Sequence, residues 1–299
     1  MPENQEMVSE QQSVIMSVLM PCFNAEKTIS KAVLSTLGSM PENSELLLFL
    51  DGCTDGTGAQ LEKIVDKRLK VYSSDVNLGV VKSLNHLLSK SSAEFIARMD
   101  ADDVCFPNRF RSQLRKMKLE KLDFLFGNVV LFGSNIPLGL AIPQLPTEIV
   151  PEEVTLALAL ASPFIHSTMI CRRTSLLELQ GYRSVAAEDY DLWIRAALAS
   201  MMLAKSRNYV VARRIHAGQT MKNPQWQQDL SKQQNGLAIQ LITLVNSKLG
   251  LSLKVETPIE QLAAEVWKSS KAAIKYSWLK KFKYFGVRRA LFPSKFGHY

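Results

Sequence analysis

The first hundred residues alternate between short apolar segments and amphipathic segments, which limits the fold more than any other feature of the chain. The short apolar segments favour buried β-strands and comprise residues 14–20, 45–50, 69–74 and 94–99. The segments between them have apolar residues at helical spacing and comprise residues 28–38, 57–67 and 79–90. This βαβαβαβ order predicts an α/β fold with a mostly parallel central sheet, flanked by helices and joined by right-handed crossovers.

The pattern continues less regularly after the fourth strand. We expect a basic helix, a strand, a proline-containing loop and a second helix at residues 107–119, 124–133, 134–151 and 152–161. A strand, a helix and a closing strand follow at residues 167–173, 188–199 and 209–215. We therefore expect a disordered tail, one α/β domain and a helical, basic and aromatic C-terminal extension at residues 1–13, 14–221 and 222–299.

Three aspartates stand within four positions directly after the fourth predicted strand. Asp100, Asp102 and Asp103 repel one another, and each resists the loss of its water. Polar or turn-forming residues also follow the first two predicted strands, at Pro21, Asn24 and Asp51. Because the carboxyl ends of strands in an open α/β sheet form the ligand crevice, the pattern indicates a ligand site with a positive group at the aspartates. The alternative is that the aspartates cap the helix that follows.

The positive charge is concentrated at the C-terminal end. The chain of 299 residues has a net charge of +8, and its last 34 residues contain nine Lys or Arg and no acidic residue. The other residues carry 27 basic and 28 acidic side chains. Residues 268–296 also contain aromatic residues at helical spacing, which is typical of an interfacial helix on anionic lipid. A nucleic-acid surface and a solvated or packed tail remain alternatives.

Several other protein classes find no support in the sequence. No apolar run approaches the roughly 20 residues that span a bilayer, and the polar N-terminus does not resemble a signal peptide, so we expect a cytoplasmic protein. The four cysteines contain no CxxC pair that would indicate a zinc site, and reduced, scattered thiols suit the cytosol. The sequence has no GxSxG element, no P-loop and no GxGxxG fingerprint.

Eight motifs in a fixed order resemble the family 2 glycosyltransferases of GT-A fold, in particular those that build bacterial lipopolysaccharide and capsule. They are PCFNAEKTI (21–29), LDGCTDGT (50–57), NLGVVKSLN (77–85), ARMDADD with PNRF (97–110), HSTM (166–169), GYR (181–183), EDYDLWIR (188–195) and RRIHAGQT (213–220). The resemblance covers roughly residues 14–220. It implies a Rossmann-like sheet and the transfer of a sugar from a nucleotide donor.

The resemblance implies a metal and donor site at the end of the fourth strand. Asp102 would contact Mn²⁺ or Mg²⁺, while Asp100 would face the ribose or assist at the metal. Arg98 would help with phosphate or pair with a carboxylate as part of the scaffold.

The resemblance places the nucleotide base at the ends of the first two strands. The loop of Pro21 and Asn24 would touch the base, and Asp51 would accept a hydrogen bond from it, which favours uracil and a UDP-linked donor. Leu50 stands where the family often has a further aspartate. A strand-ending Pro21 and a turn role for Asn24 or Asp51 remain alternatives.

The resemblance assigns the chemistry to the start of a helix. Asp189 would be the base that takes a proton from the acceptor hydroxyl in an inverting transfer, and Glu188 would orient the acceptor. His216 would contact diphosphate or metal, and His166 would line the acceptor side. Each histidine could equally be a satisfied polar residue, and capping of their helix is the alternative for the two carboxylates.

Three functions remain open at this stage. We expect a metal-dependent, inverting transferase acting on a cell-surface glycan or a lipid-linked acceptor, cytoplasmic or peripheral at the inner membrane. An inactive scaffold of the same fold is the alternative from another class. A sugar nucleotidyltransferase also uses paired carboxylates, but PCFNAEKT is not its glycine- and lysine-rich loop.

Overall fold

A computed structural model describes residues 14–133, 147–160, 162–185, 187–216 and 239–248, together with residues 236, 250, 252 and 254. The strands in chain order are β1 (Met16–Cys22), β2 (Ser44–Asp51), β3 (Leu69–Ser74), β4 (Phe95–Arg98), β5 (Val104–Cys105), β6 (Phe124–Gly133), β7 (Ile170–Arg172) and β8 (Leu203–Ile215). The α-helices are α1 (Ile29–Ser39), α2 (Thr57–Leu61), α3 (Val80–Lys90), α4 (Arg109–Leu119), α5 (Val154–Leu160), α6 (Arg173–Glu178) and α7 (Glu188–Leu198). Residues 239–248 are also helical.

The strands form one sheet in the order β3-β2-β1-β4-β7-β6-β8-β5. The four strands of the first half are parallel, as the alternating sequence pattern predicted. β7 enters antiparallel between β4 and β6, and β6 is parallel to β8. The carboxyl ends of β1, β2 and β4 therefore lie on one edge of the sheet, and β7 begins on that same edge.

Helices cover both faces of the sheet because successive strand residues point in opposite directions. On one face α1, α2 and α4 pack over Val18 and Met20 of β1. On the other face α3, α5, α7 and residues 239–248 pack over Leu19. The expected α/β architecture is confirmed, and none of the helices in the described part of the chain is long and apolar enough to cross a bilayer.

β1 begins and ends two residues later than predicted, at Met16 and Cys22 instead of residues 14 and 20. β1 does not stop before Pro21 but runs through it, with Pro21 opposite Phe49 of β2. The Leu19 carbonyl accepts a hydrogen bond from the Met99 N–H, so the backbone groups of residue 19 face β4. Those of residue 21, two positions later, face the same way, but β4 has already ended at Arg98. Because none of the described strands accepts a hydrogen bond from position 21, a proline without a backbone N–H is tolerated there.

Three other elements differ in length. α2 ends at Leu61 rather than near residue 67, because Asp66 accepts a hydrogen bond from the Arg68 N–H (2.9 Å) and forms the turn into β3. The predicted strand at 167–173 is limited to β7, and a 3-10 turn, His166–Thr168, precedes it. The closing strand starts at Leu203, six residues earlier than expected. The predicted tail 1–13, most of the loop 134–151 and the basic segment 268–296 lie outside the described residues.

An aromatic cluster joins α7 to the sheet. Trp193 is fully buried, and its ring lies edge-on to Phe126 at 4.7 Å between centroids. Phe126 also stacks on Phe164 at 4.1 Å. This cluster fixes the helix whose first turn carries the predicted catalytic carboxylates.

We expect Phe126→Ala to lower the free energy of unfolding by about 3–5 kcal/mol, because it removes a buried ring from the centre of the cluster. Phe23→Ala is the matched control, since Phe23 is 53% exposed and the same deletion leaves no buried cavity. Urea unfolding followed by circular dichroism measures both. Equal losses in the two variants would contradict the central role of the cluster.

Candidate active site

The loop after β4 pairs two of its three aspartates with cationic or imidazole side chains. Asp100 Oδ1 lies 2.6 Å from the Arg98 Nη2, and the Arg98 side chain is almost fully buried. Asp102 Oδ2 lies 3.0 Å from His216 Nε2 at the end of β8, and both side chains are partly exposed. The structure therefore brings together Arg98, Asp100, Asp102 and His216, which the sequence had placed in one donor site.

The third aspartate has structural partners. Asp103 is buried, and its carboxylate accepts hydrogen bonds from the Ser167 hydroxyl and from the Arg214 N–H, both at 2.9 Å. Burial and the charges of Asp100 and Asp102 raise its pKa to about 8. Asp103 thus ties the aspartate loop to the turn at 166–168 and to β8.

The other two aspartates have opposite pKa shifts. Burial and the nearby Asp100 raise the pKa of Asp102, although His216 works against the shift. Burial also opposes ionisation of Asp100, but the adjacent Arg98 and further basic groups lower its pKa below the ordinary value. Both side chains are partly exposed, but Asp100 is held as an anion by Arg98, whereas Asp102 would gain from a cation that replaces its lost hydration.

Arg109, at the start of α4, supports the aspartate loop by holding the peptide between Arg98 and Met99, the residue before the loop, through a hydrogen bond to the Arg98 carbonyl. Its guanidinium is fully buried and donates hydrogen bonds to the Arg98 carbonyl (2.9 Å) and to Gln113 Oε1 (3.0 Å). Gln113 in turn donates to the Thr168 carbonyl (2.8 Å). One turn of α4 thereby holds the end of β4 and the turn before β7. The sequence motif PNRF contained this residue, but the prediction gave it no role.

The first turn of α7 carries three acidic side chains, and the first two, Glu188 and Asp189, are the predicted catalytic pair. The Asp189 carboxylate accepts a hydrogen bond from the Tyr190 N–H (2.7 Å). Burial and the charge of Asp189 raise the pKa of Glu188 to about 7, and burial also raises the pKa of Asp189. Asp100 contributes to both shifts, which places α7 and the aspartate loop within electrostatic reach of each other. A carboxylate with a raised pKa in a cleft is suited to accept a proton near neutral pH.

His166 lies between this helix and the aspartate loop. Its Nε2 is 2.9 Å from the Tyr182 hydroxyl, and its ring lies edge-on to Trp193. Burial and the charge of Arg98 lower its pKa to about 3, so the imidazole is neutral at physiological pH. His166 is thus a partnered polar residue on the α7 side of the site, where an acceptor role had been predicted.

Asp51 holds the start of α3. Its buried carboxylate accepts hydrogen bonds from the N–H groups of Leu78 (2.6 Å) and Gly79 (2.9 Å). Gly79 has a φ of 87°, a conformation that favours glycine. These contacts fit the turn alternative for Asp51. The predicted base contact stays a prediction.

Asn24 joins the loops after β1 and β2. Its amide oxygen accepts a hydrogen bond from the Thr54 N–H (2.8 Å), and the Ala25 N–H donates to Thr57 Oγ1 (2.8 Å). Pro21 lies at the end of β1, one position before Cys22. Pro21, Asn24 and Asp51 therefore lie at neighbouring strand ends, as expected, while a nucleotide contact by any of them is untested.

The donor set at the aspartates suits a divalent ion that is shared with phosphate. Among the residues that the structure describes, no group of three or more His, Cys, Asp or Glu side chains forms a metal cage. Asp102 and His216 provide two partly exposed donors at 3.0 Å from each other. Mg²⁺ is commonly held by one or two carboxylates, water and substrate phosphates, so two protein donors fit this mode.

Comparisons with known proteins agree with the fold and the order of the motifs. The model described as "Glycosyl transferase family 2" matches residues 17–177. EpsE of Bacillus subtilis is 32% identical over 188 residues, and the match spans 60% of this chain and 65% of EpsE. The Escherichia coli protein WfgD, a "UDP-Glc:alpha-D-GlcNAc-diphosphoundecaprenol beta-1,3-glucosyltransferase", is 28% identical over 180 residues, which are 60% of this chain and 68% of WfgD. This chain thus spans just under two thirds of EpsE.

A solved structure of similar fold is that of S. aureus TarS in complex with UDP-GlcNAc. The TM-score is 0.61 at 18% identity, and the superposition covers 93% of this chain and 79% of the TarS chain. At this identity the likeness concerns the fold alone.

We expect Arg109→Met to lower the free energy of unfolding by about 3 kcal/mol, because it leaves buried acceptors without their donor. Hydrogen exchange should also quicken in the peptide that contains residues 98–106, since its brace is lost. The control is Arg111→Met on the exposed face of the same helix, where we expect a change within about 0.5 kcal/mol. Unchanged exchange in Arg109→Met would contradict the bracing role.

The raised pKa of Glu188 predicts a pH-dependent stability. Between about pH 4.5, its ordinary pKa, and about pH 7, the folded chain keeps a proton that the unfolded chain has released, so stability falls as pH rises through this window. Glu188→Gln removes this titrating group. The free energy of unfolding of the variant, relative to that of the wild type, should therefore rise by on the order of 1–2 kcal/mol between pH 5 and pH 8. Urea unfolding at both pH values measures it, with the exposed Glu178→Gln as control. A pH-independent difference would be the contrary result.

Proposed function

Because the chain belongs to glycosyl transferase family 2, we propose that it transfers a sugar from a UDP-linked donor to a hydroxyl of a cell-surface glycan or lipid-linked acceptor, in an inverting and metal-dependent reaction. The observation that carries the proposal is the meeting of two carboxylate groups at one edge of the sheet. The loop Asp100–Asp102 follows β4, and the pair Glu188 and Asp189 begins α7. The charge of Asp100 raises the pKa of both Glu188 and Asp189, which supports the proposal that the two groups lie within electrostatic range of each other.

We assign the donor to the ends of β1, β2 and β4. Pro21, Asn24 and Asp51 would receive the base, and the Asp51 carboxylate also keeps the adjacent turn at Leu78 in place. Support for UDP comes from relatives and neighbours: WfgD is named as a UDP-Glc enzyme, and the TarS structure contains UDP-GlcNAc. Arg98 would stay paired to Asp100, so its part in phosphate binding would be to fix that anion.

We assign Mn²⁺ or Mg²⁺ to Asp102, with help from Asp100 and His216. When bound, a divalent ion there would neutralise the charge that develops on the departing nucleoside diphosphate. A mannosyltransferase of similar fold from Pyrobaculum calidifontis, PcManGT, was solved with GDP-Man and Mn²⁺ (TM-score 0.55, 14% identity, 94% of this chain and 81% of that chain). His216 is partly exposed at its contact with Asp102, so it can contribute to the same ion or to the diphosphate.

We assign the proton transfer to Asp189. Its carboxylate would take the proton of the acceptor hydroxyl as that oxygen attacks the anomeric carbon, and the bond to the diphosphate oxygen would break on the opposite side. The configuration of the sugar is inverted in a single displacement. Glu188 would accept a hydrogen bond from the acceptor, and neutral His166 would line the same side through its contact with Tyr182.

The names of two relatives support the proposed acceptor and location. WfgD is named for a diphosphoundecaprenol-linked acceptor, and the Erwinia amylovora relative AmsE is named for amylovoran biosynthesis. A lipid-linked acceptor would be met at the cytoplasmic face of the inner membrane, where the chain would act as a cytoplasmic or peripheral protein. Contact through residues 268–296 is part of the proposal.

We expect the wild type to bind UDP more tightly with Mn²⁺ than without it, and Asp102→Ala to lose this dependence. Asp189→Asn should bind UDP and Mn²⁺ normally but release UDP from UDP-sugars at least about 100-fold more slowly in the presence of acceptor. Calorimetry and a UDP-release assay measure the two effects. Glu178→Ala, an exposed carboxylate of α6, serves as the control.

Three outcomes separate the hypotheses. Binding and turnover with the expected variant effects support the transferase. Binding of UDP without turnover of any UDP-sugar favours the scaffold of the same fold. Wild-type rates in Asp189→Asn would exclude Asp189 as the base.

A further inference from the structure

The outer face of α4 is strongly basic. Its inner residues Phe110, Leu114 and Met117 are buried in the core. Its exposed residues and the turn that follows form a set that we name the α4 outer surface, consisting of Arg111, Arg115, Lys118, Leu119 and Lys121. The first three cations are spaced by four and three residues, so they share one side of the helix.

These cations are not neutralised by the described part of the chain. Among the described residues, no carboxylate lies within 4 Å of Arg111, Arg115, Lys118 or Lys121. The acidic Glu120 is instead paired with Lys116 at 2.6 Å. Neither α4 nor the adjacent α1, which packs against it, contains an acidic residue. The positive charge is therefore a property of this side of the domain.

The α4 outer surface also presents an aliphatic side chain, because Leu119 is 76% exposed. The only aromatic residue of α1 and α4, Phe110, is fully buried. Single-stranded nucleic acid is usually held by exposed aromatic rings that stack on bases, whereas a lipid surface takes aliphatic anchors between cations.

We propose that the α4 outer surface docks the protein on an anionic phospholipid bilayer, with the four cations at the headgroups and Leu119 inserted between them. α4 begins beside the aspartate loop, where Arg109 contacts the Arg98 carbonyl. The first turn of α4 would therefore bring the bilayer close to the aspartate loop, while its last turn, with Lys118 over the Phe95 ring, lies at the opposite end of β4. The choice of partner rests in this respect on the proposed function, because a lipid-linked acceptor needs that proximity.

The test is sedimentation of the full chain with vesicles of phosphatidylcholine containing about a third phosphatidylglycerol, and with vesicles of phosphatidylcholine alone. The variant Arg111→Gln, Arg115→Gln, Lys118→Gln removes three surface charges. Each cation near an anionic surface strengthens binding about five-fold, so we expect partitioning into anionic vesicles to fall about 100-fold. Leu119→Gln keeps every charge and should weaken binding several-fold.

The matched control is Lys63→Gln, Lys67→Gln, Lys90→Gln, which removes the same charge from exposed positions outside the α4 outer surface. Both triple variants keep residues 268–296, so any contribution of that segment is common to them. Circular dichroism and melting temperature establish that each variant is folded.

A large loss in the α4 variant with little change in the control supports the proposal. Equal binding by the α4 variant and the control overturns it, whether both retain or both lose affinity. A loss of binding to a single-stranded oligonucleotide, with vesicle binding intact, would also overturn it. No donor or acceptor enters these assays, so their outcome is independent of whether the chain proves to be a transferase.

Discussion

The mutual repulsion of Asp100, Asp102 and Asp103 is the constraint around which much of the site is organised. Three carboxylates at one strand end are stable only if each finds a partner of its own. Asp100 is held by buried Arg98, and Asp103 by a hydroxyl and a backbone N–H. Asp102 keeps part of its surface exposed beside His216. Asp100 is also partly exposed, so the two aspartates differ in the partner, which is a guanidinium for Asp100 and a histidine for Asp102.

The compensating partners come from distant parts of the chain, which links the site to the fold. Ser167 precedes β7, Arg214 lies at the end of β8, and Arg109 begins α4. Each of these contacts is made only when the turn, strand or helix that carries the residue is in its place against the sheet. A disturbance of β8 or α4 would therefore reach the carboxylates without touching them directly.

Much of the fold could be predicted because its signals are local. β3 at 69–74 and β6 at 124–133 were placed at their observed limits from composition and flanking turns alone. Pro21 was misplaced outside β1 because its tolerance depends on where β4 ends, which is a tertiary fact. α2 was predicted too long because a helical pattern does not reveal that Asp66 prefers to close a turn. The early start of β8 likewise depends on its pairing with β6.

The contacts of the candidate site residues could be predicted only in part. The family resemblance assigned Asp102, His216 and Glu188 to one site, and the structure pairs Asp102 with His216. The sequence did not reveal that Asp51 is engaged by backbone N–H groups or that Arg109 braces the loop, because these depend on three-dimensional contacts. A buried arginine leaves little trace in a sequence, where arginine normally indicates a surface.

The reversal of direction at β7 has a consequence for modification of the protein. β4 and β7 meet where parallel pairing gives way to antiparallel pairing, so the parallel half of the sheet forms its ladder within residues 16–98. Within the sheet, the second half pairs with it along one short strand, Ile170–Arg172. A chimera that combines the first half of one such domain with the second half of another would have to preserve this pairing and the contacts of Asp103 with Ser167 and Arg214.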